Sequence, residues 1–160
     1  MKSVIVAVSV IFFCLSLLTP VYAETSMMGS NLTGGSLKNC NLSGVNFKDS
    51  TLRDVNFQGA NLSNAMFRLS ILSGSDFRNA NLKGADLSAC DLSDTNFGGA
   101  DLTGAKISGS NLQGANFKDA ILKGTDLGST VWPMVICPDG TISNEHGFSC
   151  KGHLSPNKKK

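Results

Sequence analysis

Four residues near the C-terminus carry side chains fit for metal or redox chemistry: Cys137, His146, Cys150 and His153. Thiolate and imidazole are the ligands zinc prefers, and four of them could complete a tetrahedral site. Their spacing contains no C-x₂₋₄-C knuckle. The other reading is a disulfide between Cys137 and Cys150, closing a loop around the strong turn signal Pro138-Asp139-Gly140. Such a loop stabilises by about 3 kcal/mol in the chain-entropy account. No catalytic set accompanies these residues. Both histidines lie in the tail, so no Ser-His-Asp arrangement can form along the rest of the chain. There is no H-E-x-x-H, phosphate-binding loop or G-x-G-x-x-G. The chain reads as a non-enzyme with no cofactor.

The elements that position everything else follow from one period. From Ser30 to Ser129 a large apolar residue recurs every fifth position, from Leu32 and Leu37 to Leu122 and Leu127. Two residues before each stands a small or β-branched one, such as Ser30, Val45 or Ala60. A period of five fits neither 3.6 nor a sustained 2. An α-helix would smear the large residues over all faces, and the recurrent Gly, Asn and Asp weaken helices. The unit reads instead as a short extended piece and a turn. The small and large residues point inward as alternate residues of a strand do. The residue between them points outward and is usually Asn or Asp, and the last two form a corner. A fixed period of this kind marks a solenoid.

The unit A-[D/N]-L-x-x appears as Ala60-Asn61-Leu62, Ala80-Asn81-Leu82, Ala85-Asp86-Leu87, Ala100-Asp101-Leu102 and Ala115-Asn116-Phe117. In this the chain resembles the pentapeptide-repeat family. The resemblance implies an all-β fold, a right-handed quadrilateral β-helix with four units per coil. About five coils, roughly 24 Å tall at the usual strand spacing, would result. Dealing units onto four walls gathers Phe57, Phe77, Phe97 and Phe117 on one wall as a core ladder. It places Cys40 and Cys90 on opposite walls, two and a half coils apart. A disulfide needs Cα atoms within about 7 Å, so both are expected as unpaired buried thiols. Met66, Leu69 and Ile71 stand where the pattern expects Asn, Gly or Asp. They form a candidate apolar interaction patch.

The ends complete the organisation. Residues 1–23 read as a signal peptide: Lys2, then an apolar run from Val4 to Leu18, too short to span a membrane, and a small-x-small site at Val21-Tyr22-Ala23. Cys14 lies within the run without a lipobox. Residues 24–29 read as an N-terminal cap, 30–129 as the β-helix and 130–154 as a C-terminal cap and cysteine loop. Residues 155–160 read as a disordered basic tail. Trp132 is the expected lid on the last coil, since repeat shafts must cover their ends. The expected location is a bacterial periplasm or the exterior. The tail also looks like one found after exported bacterial members of the family, of the form C-P-D-G-T-x-S then G-x-x-C.

Charge narrows the partners. The repeat block holds nine Lys or Arg and nine Asp. That balance argues against binding nucleic acid. The resemblance also implies a second possibility, since some members mimic duplex DNA and bind type II topoisomerases. A mimic should be acidic, and a signal peptide would carry the chain away from such targets. The reading is therefore a structural scaffold or protein-interaction module with an unknown protein partner, a homo-oligomer being one form it can take, and no membrane contact after signal cleavage. A metal-binding module in the Cys/His tail is the remaining alternative. Three Asn-x-Ser/Thr acceptor sequences, at Asn31, Asn41 and Asn61, are by-products of the repeat.

Overall fold

The computed structural model of the chain describes residues 26–130, 133–143 and 150. Each outward residue pairs in parallel with the residue twenty positions on. The pairing runs from Ser26 with Asn46 to Asn116 with Ile136. Twenty residues are four units, so the chain makes one square coil per four units and returns each position above itself. Four walls result. The first carries Leu52, Leu72, Leu92 and Leu112, and the second Phe57, Phe77, Phe97 and Phe117. The third carries Leu62, Leu82 and Leu102, and the fourth Phe47, Phe67, Leu87 and Ile107. All of these are sealed from solvent.

Backbone hydrogen bonds explain why each position takes its residue type. In the second-wall unit around Phe57, the Phe57 N–H donates to Asp76 O and the Gly59 N–H to Arg78 O, both on the next coil. The Asn56 N–H donates back to Gly35 O, and the Ala60 N–H closes the turn onto Phe57 O. One N–H, that of Gln58, is left over. It donates to the Asn56 side-chain Oδ1 at 2.9 Å. The same bond recurs at Asn31, Asn46, Asp76, Asp86, Asp91, Asn96, Asp101, Asn116 and Asp126. Outward Asn and Asp are thus the acceptors that complete each unit's hydrogen bonding.

The corner residue takes a positive φ, as the third residue of such a turn requires. Eleven non-glycine residues adopt it, including Asn39, Asp54, Asn64, Asn79 and Asp94. Glycines stand one coil beyond each of these five: Gly59, Gly74, Gly84, Gly99 and Gly114. The reason is steric. A Cβ at Gly99 would lie 2.5 Å from Asn79 Oδ1, and one at Gly84 2.6 Å from Asn64 Oδ1. At these five corners the Asn or Asp leaves no room for a Cβ one coil on.

Inside, the second-wall rings stack, with centroids 4.7 Å apart for Phe57–Phe77, 5.2 Å for Phe77–Phe97 and 4.8 Å for Phe97–Phe117. Phe67 of the fourth wall meets Phe57 and Phe77 edge-on at 6.0 Å. The coil geometry also runs beyond Ser30–Ser129. Met27 is in the core, Ser26 is paired, and Gly114 N–H donates to Pro133 O. Residues 141–143 turn back antiparallel on the second-wall edge, with Ile142 beside Ile136.

One expectation is overturned. Cys40 is disulfide-bonded, while Cys90 is, among the described residues, the free and buried one. Wall geometry excludes only the pairing of Cys40 with Cys90. It does not bear on a third cysteine.

Candidate functional site: an apolar corner

Among the described residues no three His, Cys, Asp or Glu side chains gather as a metal would require. Cys137 and Cys150 are joined, with Cα atoms 5.5 Å apart, and a sulfur so bonded is not a zinc thiolate. His146, His153 and Trp132 lie outside the described residues, as do the signal segment and the basic tail.

The corner between the fourth and first walls departs from this alternation in mid-shaft. Successive coils there carry Asp49, Leu69 and Ala89, with no glycine beneath either of the first two. Leu69 has a φ of 65° and is 55% exposed. A left-handed backbone costs a non-glycine residue about 1–2 kcal/mol. The Leu69 N–H reaches Ser88 O at 3.3 Å, against 3.0 Å for Ala89 to Ser108 O one coil on.

Met66 and Ile71 flank Leu69 on the two adjoining walls. Both are half-buried between their ladder partners, Asn46 and Asp86 for Met66, Thr51 and Asp91 for Ile71. The patch is therefore a projecting leucine with two partly covered shoulders rather than three fully exposed side chains. Neither shoulder can accept the leftover N–H of its unit, so Arg68 and Ser73 lack the side-chain bond that Asn or Asp gives elsewhere. Apolar side chains here forgo hydrogen bonds as well as solvation.

Charge around this corner is divided. Lys48 and Asp49 lie one coil before the Arg68-Leu69 turn, and Asp86 and Asp91 one coil after Met66 and Ile71. The salt bridges among the described residues are Arg78–Asp76 and Lys83–Asp101. In the first, the Arg78 guanidinium holds the Asp76 carboxyl below its usual range. In the second, burial raises the Asp101 pKa, but bonds from Thr103 and Lys83 outweigh it and the net shift is downward.

A second apolar cluster went unread in the sequence. Met134 is 62% exposed with a φ of 56°, followed by Ile136 and its neighbour Ile142. Its signal was present: Met134 falls on the corner position when the five-residue register is continued past Ser129.

Profiles of the family match as "Pentapeptide repeats", in eight copies over residues 70–109 and 95–130, and as "Pentapeptide repeat region" over residues 22–87. The chain belongs to the pentapeptide-repeat family. Members form right-handed quadrilateral β-helices, the architecture described above. Solved pentapeptide-repeat structures resemble it. HetL of the cyanobacterium Nostoc sp. strain PCC 7120, involved in heterocyst differentiation regulation, is 25% identical over 74% of this chain (TM-score 0.38). The chain spans 64% of HetL, under two thirds of its length. A pentapeptide-repeat protein of the Arabidopsis thaliana thylakoid lumen is 21% identical, covering 91% of each chain (TM-score 0.45). Another from Nostoc PCC 7120 is 18% identical, covering 93% of each (TM-score 0.49). No curated protein matches.

Proposed function

We propose that this pentapeptide-repeat protein is an exported, non-enzymatic scaffold that binds a protein partner through the corner at Met66, Leu69 and Ile71. In this reading the shaft has about five coils, is closed at its C-terminal end by the Cys137–Cys150 loop, and works in a periplasm or outside the cell. The observation that carries it is Leu69. A large apolar side chain stands exposed, in an unfavourable backbone region, on a shaft that elsewhere places Gly, Asn or Asp at most corners. A purely structural corner gains nothing from that residue.

The test is retention of envelope proteins on the immobilised protein and on its Leu69→Asp variant. The expected result is a protein held by the first and lost from the second, with both giving the same circular dichroism melt. Equal retention would remove the corner from the reading. Topoisomerase binding by DNA mimicry finds less support, because Lys or Arg residues sit among the aspartates on every wall. Inhibition in a gyrase supercoiling assay would revive it. A metal-binding tail would be revived by zinc bound stoichiometrically to the oxidised protein.

A further inference from the structure

We infer that the N-terminal end of the shaft is a docking edge for a second copy of the chain, set end to end about a two-fold axis normal to the first wall at Asn31. The inference rests on reading residues 1–23 as removed on export, with every contact they make, and is independent of the corner at Leu69.

Along the shaft, the N–H and C=O of each outward residue face the preceding coil. Those of Asn56 are bonded to Gly35 O and the Leu37 N–H. At the first coil the same groups of Ser26, Asn31, Ser36 and Asn41 are bonded to no described residue, and all four residues are exposed. Such an edge is a template for further pairing, which proteins usually blunt with charge. Here that protection is missing. Lys38 is the one charged side chain among residues 28–47, whereas each of the next four coils carries four or five.

A residue that turns both its N–H and its C=O to the edge can exchange both bonds with an antiparallel partner. The two-fold axis makes that exchange on three walls at once. Asn31 meets its own equivalent, Ser36 meets Ser26 of the second copy, and Ser26 meets Ser36. The register runs unbroken through two corners and sets Met28, 60% exposed, opposite Gly34 of the second copy, which carries no side chain. Because the coil climbs as it turns, the third walls stay about two strand spacings apart, roughly 9.6 Å. That gap leaves room for the chain entering at Ser26.

A second copy fits this edge better than the alternatives. A single extended peptide could pair with one wall only. Head-to-tail stacking on the other end of the shaft is obstructed on the second wall, where Cys137 N–H donates to Thr141 O at 2.7 Å and Ser143 N–H to Val135 O at 2.8 Å. The two-fold contact is isologous and closes at two chains.

The test is sedimentation velocity on the protein expressed full-length and purified after export, its start at Glu24 checked by mass, from about 1 to about 500 µM. The expected result is a mass rising toward two chains with concentration and unmoved by added salt, since the bonds join uncharged groups. Ser36→Pro removes an N–H that the shaft itself does not use. It should hold the protein monomeric with an unchanged circular dichroism melt. Oxidised Asn31→Cys should cross-link into dimers, because Cα atoms of such a pair lie about 5.5 Å apart, within disulfide reach. Ser26→Cys and Ser36→Cys should cross-link only when mixed. A chain that starts at Glu24 and stays monomeric overturns the inference and leaves the export reading standing. So does Asn31→Cys that fails to cross-link, or Ser36→Pro that still dimerises. A monomer whose mass retains residues 1–23 overturns both readings.

Discussion

The Cys90 thiol sits in a column of hydroxyls, at the small inward position that Ser50, Ser70 and Ser110 hold on neighbouring coils. Its S–H donates to Phe67 O at 2.9 Å, and its own N–H donates to Ser110 Oγ at 3.0 Å. Burial pushes its pKa up to about 12 from an ordinary value of 9.0. The folded state therefore holds the neutral thiol. That contribution is complete below pH 9 and is lost as pH rises toward 12. Maleimide at pH 8 should leave Cys90 unlabelled in the native protein and modify it once denatured, as mass spectrometry of the Cys90 peptide would report. Native labelling would mean that the Leu69–Ser70 corner above it opens readily. The sequence identified Cys90 as a buried thiol because the repeat places it inward. It misjudged Cys40 because a period locates a residue on the shaft and is silent about chain outside it.

At the scale of walls and corners, side chains are chosen by what lies one coil away. The alternation of Asn or Asp with Gly is such a choice, and Gly99 tests it. Gly99→Ala should cost about 1–2 kcal/mol for its left-handed backbone and a further ~1–3 kcal/mol for the clash with Asn79. In an Asn79→Gly background only the first cost should remain, so urea denaturation of the four proteins should reveal positive coupling. Additive losses would show that the alternation is coincidental. The ring wall makes a parallel case. Phe77 stacks on Phe57 and Phe97 and meets Phe67 edge-on. Phe77→Ala should cost about 3–5 kcal/mol, and Phe77→Leu less, since leucine fills the same position on the first and third walls. Equal losses would deny the rings any role beyond volume. Dealing the units onto four walls made the second-wall ladder legible. The edge-on contacts of Phe67 were not, because they depend on how far rings reach across the interior. The corner alternation was equally available in the sequence, as a forty-residue period, but its cause is a distance between coils that only coordinates supply.

A shaft in which each coil touches only its neighbours stores stability locally, so damage at one end should stay there. The C-terminal end is the sensitive one. Cys137 stands one coil beyond Phe117 on the ring wall, where Phe117 N–H donates to Ile136 O at 2.8 Å, and the 141–143 segment covers that edge. The backbone keeps its five-residue register through Met134 and Val135 although the sequence pattern has dissolved by Pro133. For that reason the end of the coil cannot be read where the motif ends. Reducing the Cys137–Cys150 bond releases a constraint of about 3 kcal/mol on the unfolded chain and loosens the segment lying on the last rings. Hydrogen exchange should then quicken over residues 110–137, with protection retained from Leu52 to Leu92. A uniform acceleration would show the shaft unfolding as one cooperative unit. No change would show that the disulfide ties down only its own loop. The graded outcome follows from geometry alone: the reduced end has neighbours on one side, and the ring ladder between Phe57 and Phe97 has them on both.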